Sequence, residues 1–97
     1  MNIDQCHDPQ WGPLYIHNNT FEGNFFRGGR CANSANITWD GNRAHGNGLT
    51  SKQPGFRVAS SSDIVFKNNI AFDNGINCVI ENDHNLTAPD LKTQCPA

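Results

Sequence analysis

His17 stands 23 residues before Asp40, and Asp40 stands 27 residues before Lys67. If the fold brings those positions together, a base, a carboxylate and an ammonium group share one surface. Such a set can remove a proton α to a carboxylate and steady the charge that develops. A lysine acts as the base only in its neutral form, which a neighbouring carboxylate disfavours. Without chemistry, the same three residues make a surface ion-pair ladder, which is worth little. Arg30 and Arg57 repeat the 27-residue spacing. Paired guanidinium groups grip carboxylates in two-pronged fashion, as an acidic ligand requires. Structural partners for the two arginines would be Asp63, Glu22 or a loop carbonyl. Asp40 and Asp73 fall at different phases of the spacing, so they do not form a facing carboxylate pair. No run of close Asp residues offers a calcium site.

These spacings have meaning only if the chain repeats, and it does. Leu14-Tyr15-Ile16-His17-Asn18-Asn19-Thr20-Phe21-Glu22-Gly23-Asn24 matches the segments that begin at Ile37 and Ile64. The shared pattern is apolar-x-apolar-x-x-Asn-x-(Phe/Ala)-x-x-Asn. A second block supports the longer offset, with Gly29–Ile37 falling on Phe56–Ile64. A degenerate fourth copy begins near Ile76 and runs through Cys78-Val79-Ile80. Each unit starts with a period-two strand and meets Asn and Gly at its corners. One unit cannot bury its apolar side, but stacked units can. Leu14, Ile37 and Ile64 then form one interior column, and Ile16, Trp39 and Phe66 another. Alternation turns Tyr15/Thr38/Val65 and His17/Asp40/Lys67 outward on the same strand. Asn19/Asn42/Asn69 and Asn24/Asn47/Asn74 are placed to form hydrogen-bonded ladders at strand spacing, about 4.8 Å. His45-Gly46 reads as a turn beside Glu22 and Phe72. Residues 49–56 read as a longer loop of the second unit, of the kind that shapes a groove. The main competing fold is a small antiparallel β-sandwich, whose strands need not match at a fixed offset. Four Leu are too few for a leucine-rich repeat.

Asn18-Asn19-Thr20-Phe21 and Asn68-Asn69-Ile70-Ala71-Phe72-Asp73-Asn74-Gly75 resemble the repeats of the right-handed parallel β-helix family, which includes pectate-lyase-like and other polysaccharide-active proteins. The resemblance covers about residues 12–82. It implies an all-β solenoid of three to four short coils, and a protein associated with carbohydrate. Family members include lyases, hydrolases, epimerases and non-catalytic binding proteins. His45-Gly46 resembles the His-Gly of polygalacturonase-like hydrolases, without the acidic pair that accompanies it there.

Ninety-seven residues make one domain with a thin core. Its expected parts are a cap at 1–12, coils over 13–86 and a second cap at 87–97. Fourteen Asn and nine Gly rule out a helical bundle. A net charge of −2 argues against nucleic acid as a partner. No apolar run spans a bilayer, and no signal peptide is visible. Cys6, Cys31, Cys78 and Cys95 form an even set without zinc-knuckle spacing. The coil register favours Cys6–Cys31 and Cys78–Cys95 bridges, while Cys31, aligned with Val58, also suits a reduced core position. The cysteines, with three Asn-x-Thr acceptor patterns, lean towards a secreted or periplasmic protein. Open coil ends favour a homo-oligomer.

The function expected is a non-catalytic, carbohydrate-associated or structural module, part of a longer protein or whole. It would take a polysaccharide or acidic sugar on Arg30, Arg57 and Tyr15, and need no cofactor. The alternative is a small lyase acting on uronic-acid polymers through Lys67, Asp40 and His17, and only there does calcium enter. Trp11, Phe25, Phe26 and Phe72 add rings that stack on sugars where they are exposed.

Overall fold

The computed structural model describes residues 14–96. The first cap, Cys6, the His7-Asp8-Pro9 turn and Trp11 lie outside the described residues. Within them, the period-two segments become strands and the Asn- and Gly-bearing stretches become corners. The strands are β1 (Leu14–His17), β2 (Thr20–Glu22), β3 (Gly29–Ala32), β4 (Ala35–Asp40), β5 (Arg43–His45) and β6 (Pro54–Ala59), then β7 (Ser62–Lys67), β8 (Ile70–Phe72), β9 (Ile76–Glu81) and β10 (His84–Thr87). A four-residue helix, α1 (Leu91–Gln94), follows. Strands three apart in the chain lie side by side: β1-β4-β7-β10 form sheet A, β2-β5-β8 sheet B and β3-β6-β9 sheet C. Every pairing is parallel, so the protein is a parallel β-helix and not a sandwich.

The register is the one the repeat implies. Leu14 pairs with Ile37 and Ile37 with Ile64; Ile16, Trp39 and Phe66 pair likewise. The degenerate copy at Ile76 is real. It supplies β9, whose Ile80 continues the Cys31–Val58 column, and it is followed by β10, whose Leu86 pairs with Ile64.

Ile37, Trp39, Ile64, Phe66, Val58 and Cys31 are buried to 1% exposure or less, with Ile16 and Phe21 beside them. Phe56 stands at the centre of this core, which corrects the expected 49–56 loop. The loop ends at Gln53, Pro54 opens β6, and the Phe56 ring packs edge-on against Phe21, Trp39 and Phe66 at centroid distances of 6.1, 5.8 and 5.5 Å. The sequence hides this because Phe56 pairs with Gly29, which has no ring to match. Any larger residue there would crowd the rings around it. A Cβ on Gly29 would stand 3.1 Å from both the Phe21 and Trp39 rings.

Each corner divides its work between two adjacent residues. One takes the left-handed conformation: Asn18, Gly41 and Asn68 between sheets A and B, and Gly23, Gly46 and Asp73 after sheet B. The next residue carries the ladder. Asn42 Oδ1 accepts from the Asn19 backbone N–H and side-chain Nδ2, and its own Nδ2 donates to the Ile16 carbonyl at 2.8 Å. Asn69 repeats this on Asn42 and the Trp39 carbonyl. Asn47 and Asn74 do the same at the second corner.

The third corner uses different residues, which the repeat pattern had not marked as a ladder. Ser61 Oγ accepts from the Ser34 N–H, and Asp83 Oδ1 accepts from the Ser61 N–H. Two left-handed residues bracket it in each coil, such as Ser60 and Asp63.

Candidate functional site

The three sheets give the protein three outer faces, and the sequence-derived candidates fall on different ones. Sheet A carries Tyr15, 63% exposed, and the His17/Asp40/Lys67 column in the expected register. This column is not an ion-pair ladder. Asp40 accepts from Asn68 Nδ2 at 3.0 Å, and His17 Nδ1 lies 3.4 Å from Asn18 Nδ2. Among the described residues, the close ion pairs are Glu22–His45 and Arg57–Glu81, so neither His17 nor Lys67 is tied to Asp40.

Sheet C carries Arg30 and Arg57, which pair in register, with Val79 next in the column. Arg57 Nη2 donates to Glu81 Oε1 at 3.0 Å. This corrects the expected partners Asp63, Glu22 or a loop carbonyl. Glu81 pairs with Ala59 and so lies diagonally across the strands from Arg57. The last coil is shorter than the 27-residue spacing, which is why that spacing did not point to it.

Sheet B holds the most organised polar group. Glu22 Oε2 lies 3.0 Å from His45 Nε2, and the His45 ring stacks on Phe72 with centroids 5.1 Å apart and planes 7° apart. The Arg43 guanidinium lies over the same Phe72 ring, 4.9 Å from its centroid. His45 is the last residue of β5, not part of a turn, and Gly46 makes the corner. The sequence brought Glu22, His45 and Phe72 together but not Arg43, whose diagonal reach depends on its side chain. Phe72 is accordingly engaged by its own neighbours. Phe25 and Phe26, by contrast, are 63% and 55% exposed and meet edge-to-face in the loop before sheet C.

The lyase arrangement needs the arginines to hold a carboxylate within reach of Lys67. The structure separates them: Arg30 and Arg57 are on sheet C, and Lys67, Asp40, His17 and Tyr15 are on sheet A. Among the described residues, no three His, Cys, Asp or Glu side chains converge as ligands for a metal ion. The Cys78–Cys95 bridge is formed, with Cα atoms 5.6 Å apart, and no described cysteine is a free thiol. The other expected bridge involves Cys6, outside the described residues.

One carboxyl group is clearly perturbed. Burial pushes the Asp83 carboxyl above its ordinary range, against the hydrogen bond from the Ser61 N–H; Glu81 adds to the rise and His84 opposes it. Asp83 belongs to the third-corner ladder, so this reflects its place in the fold.

No helix among the described residues is long and apolar enough to cross a membrane. No curated protein and no solved structure matches the chain. A family model described as a right-handed beta helix region matches residues 10–90, in keeping with three parallel sheets wound through left-handed corner residues. The chain belongs to the right-handed β-helix family.

Proposed function

We propose that this protein is a non-catalytic β-helix module that holds an acidic polysaccharide along the outer face of sheet C, on its own or within a longer protein. The observation that carries the reading is the in-register pair Arg30 and Arg57 on successive coils. Parallel strands set the two side chains about 4.8 Å apart, so an extended polyanion running along the stack meets both. The Arg57–Glu81 pair is partly exposed and correspondingly weak, so a ligand carboxylate can displace Glu81 from the guanidinium. The exposed Phe25 and Phe26 rings, in the loop leading into β3, offer stacking surface at the edge of this face. The separation of Lys67 from the arginines favours binding over elimination chemistry.

The test is to titrate the protein with polygalacturonate and alginate, with and without calcium, while following unsaturated products by absorbance. Binding without product is expected. Arg57→Ala should weaken it about tenfold, as the loss of one charge-assisted contact of about 1.5 kcal/mol implies. Lys67→Ala should leave it unchanged. Product formation that disappears with Lys67→Ala would overturn the proposal in favour of a lyase.

A further inference from the structure

The fold sorts the asparagines into two kinds. In the ladders, Asn42 Nδ2 donates both of its hydrogens, one to the Ile16 carbonyl and one to Asn69 Oδ1. Asn47 and Asn69 do likewise, and all three are buried. A ladder nitrogen has no hydrogen to give up, and none of these three has Ser or Thr two residues later. The asparagines that do have Thr at that place are Asn18, Asn36 and Asn85, and the structure keeps all three out of the ladders and exposed.

Asn36 and Asn85 form a pair on sheet A. Ala35 and Ile37 pair with Ser62 and Ile64, which in turn pair with His84 and Leu86, so Asn36, Asp63 and Asn85 stand in one column. All three residues of the column are exposed and take the left-handed conformation. Among the described residues the Asn36 side chain makes no hydrogen bond, and Asn85 Nδ2 donates once, to Asp63 Oδ1 at 2.7 Å. The threonines of the two patterns lie in a parallel column, where Thr38, Val65 and Thr87 pair in succession. Asn18 is exposed too, but its side chain leans over the next corner, with Oδ1 2.9 Å from the place of a Cβ on Gly41, and it is not part of this pair.

We propose that Asn36 and Asn85 are modification sites that carry N-linked oligosaccharides, two strand spacings or about 9.6 Å apart on the outer face of sheet A. The donor is an oligosaccharide held on a polyprenyl diphosphate. The asparagine Nδ2 bonds to the anomeric carbon, the bond from that carbon to the diphosphate oxygen breaks, polyprenyl diphosphate leaves, and Nδ2 loses one proton. The linked nitrogen keeps its second hydrogen, which at Asn85 is enough for the bond to Asp63. The Cys78–Cys95 bridge suits the oxidising, exported setting in which such transfer takes place. Arg30 and Arg57 lie on sheet C, away from this column, so the glycans leave that face open.

The experiment uses the protein isolated from the cells that make it. Its peptides are sequenced by mass spectrometry after enzymatic glycan release in water enriched in oxygen-18, which leaves a labelled Asp at each released site. Labelled Asp is expected at 36 and 85. Asn33, Asn68 and Asn82, exposed and left-handed but without the Thr, should remain asparagine. Thr38→Val and Thr87→Val, made in the same cells, should each lower the intact mass by one oligosaccharide. Val65 already occupies that column, so the strands accept the change. Unmodified Asn36 or Asn85 in the parent protein would overturn the proposal. So would a glycan that persists at Asn36 in Thr38→Val or at Asn85 in Thr87→Val. No polyanion enters the experiment, so its failure leaves the polysaccharide reading standing.

Discussion

Two corners of the same coil solve the same problem with different chemistry. Between sheets A and B, an Asn amide accepts two bonds from the coil before it and donates one back, so each rung is locked in both directions. After sheet C, a Ser hydroxyl and an Asp carboxylate accept a single N–H apiece from the preceding coil, and Ser61 Oγ spends its proton on the Ala59 carbonyl of its own coil. The amide propagates because it is donor and acceptor at once. Between coils the hydroxyl and carboxylate only receive, and the carboxylate brings a charge into a half-buried place. Of these two corners, the stronger side-chain coupling between coils therefore comes from a neutral side chain.

Substitutions at the two corners test that contrast. Asn42→Ala should have the larger effect. It strips the acceptor from Asn19 and removes the side-chain donor to the buried Ile16 carbonyl. A loss of about 3 kcal/mol is expected in chemical denaturation, from more than one orphaned polar group. Ser61→Ala should cost about 1 kcal/mol, since one inter-coil bond is lost. Equal losses at the two sites would remove the distinction.

Asp83 gives the smallest effect and the only pH-dependent one. Its carboxyl is raised in the folded state, so the folded protein holds this proton at pH values where the unfolded chain has released it. Ionised Asp83 therefore lowers stability above its raised pKa, and the penalty fades as pH falls through that value towards 3.8. Asp83→Asn keeps an oxygen for the Ser61 N–H and removes the charge. Its melting temperature should equal or exceed the parent's at neutral pH, and the difference should shrink in mild acid. A variant less stable than the parent at neutral pH would show that the carboxylate supports the corner.

The register was legible because it was written more than once. An inward residue at period two, repeated at a fixed offset, leaves only one alignment that buries every apolar side chain. Leu14, Ile37 and Ile64, the two Asn ladders and the Arg30–Arg57 column all follow from it. The Cys78–Cys95 bridge was legible for a simpler reason: Cys95 lies in the short tail that crosses the last coil.

Tertiary structure alone decided what does not repeat. Phe56 fills the centre of the core because Gly29 leaves space across the ladder, a complementarity that no pattern of like residues reveals. Arg57 meets Glu81 because the last coil is shorter, which moves a carboxylate onto a diagonal that the longer spacing does not predict. Gln94 completes an asparagine ladder from a helix, using one more methylene to reach a place that a strand residue fills elsewhere. The candidate site divides in the same way. Columns follow from the repeat, whereas the face each column occupies depends on where the chain bends, and those bends put Lys67 and the arginines on separate sheets. Period-two burial determines which residues align. The left-handed corners, acting over the whole coil, determine which of them can meet.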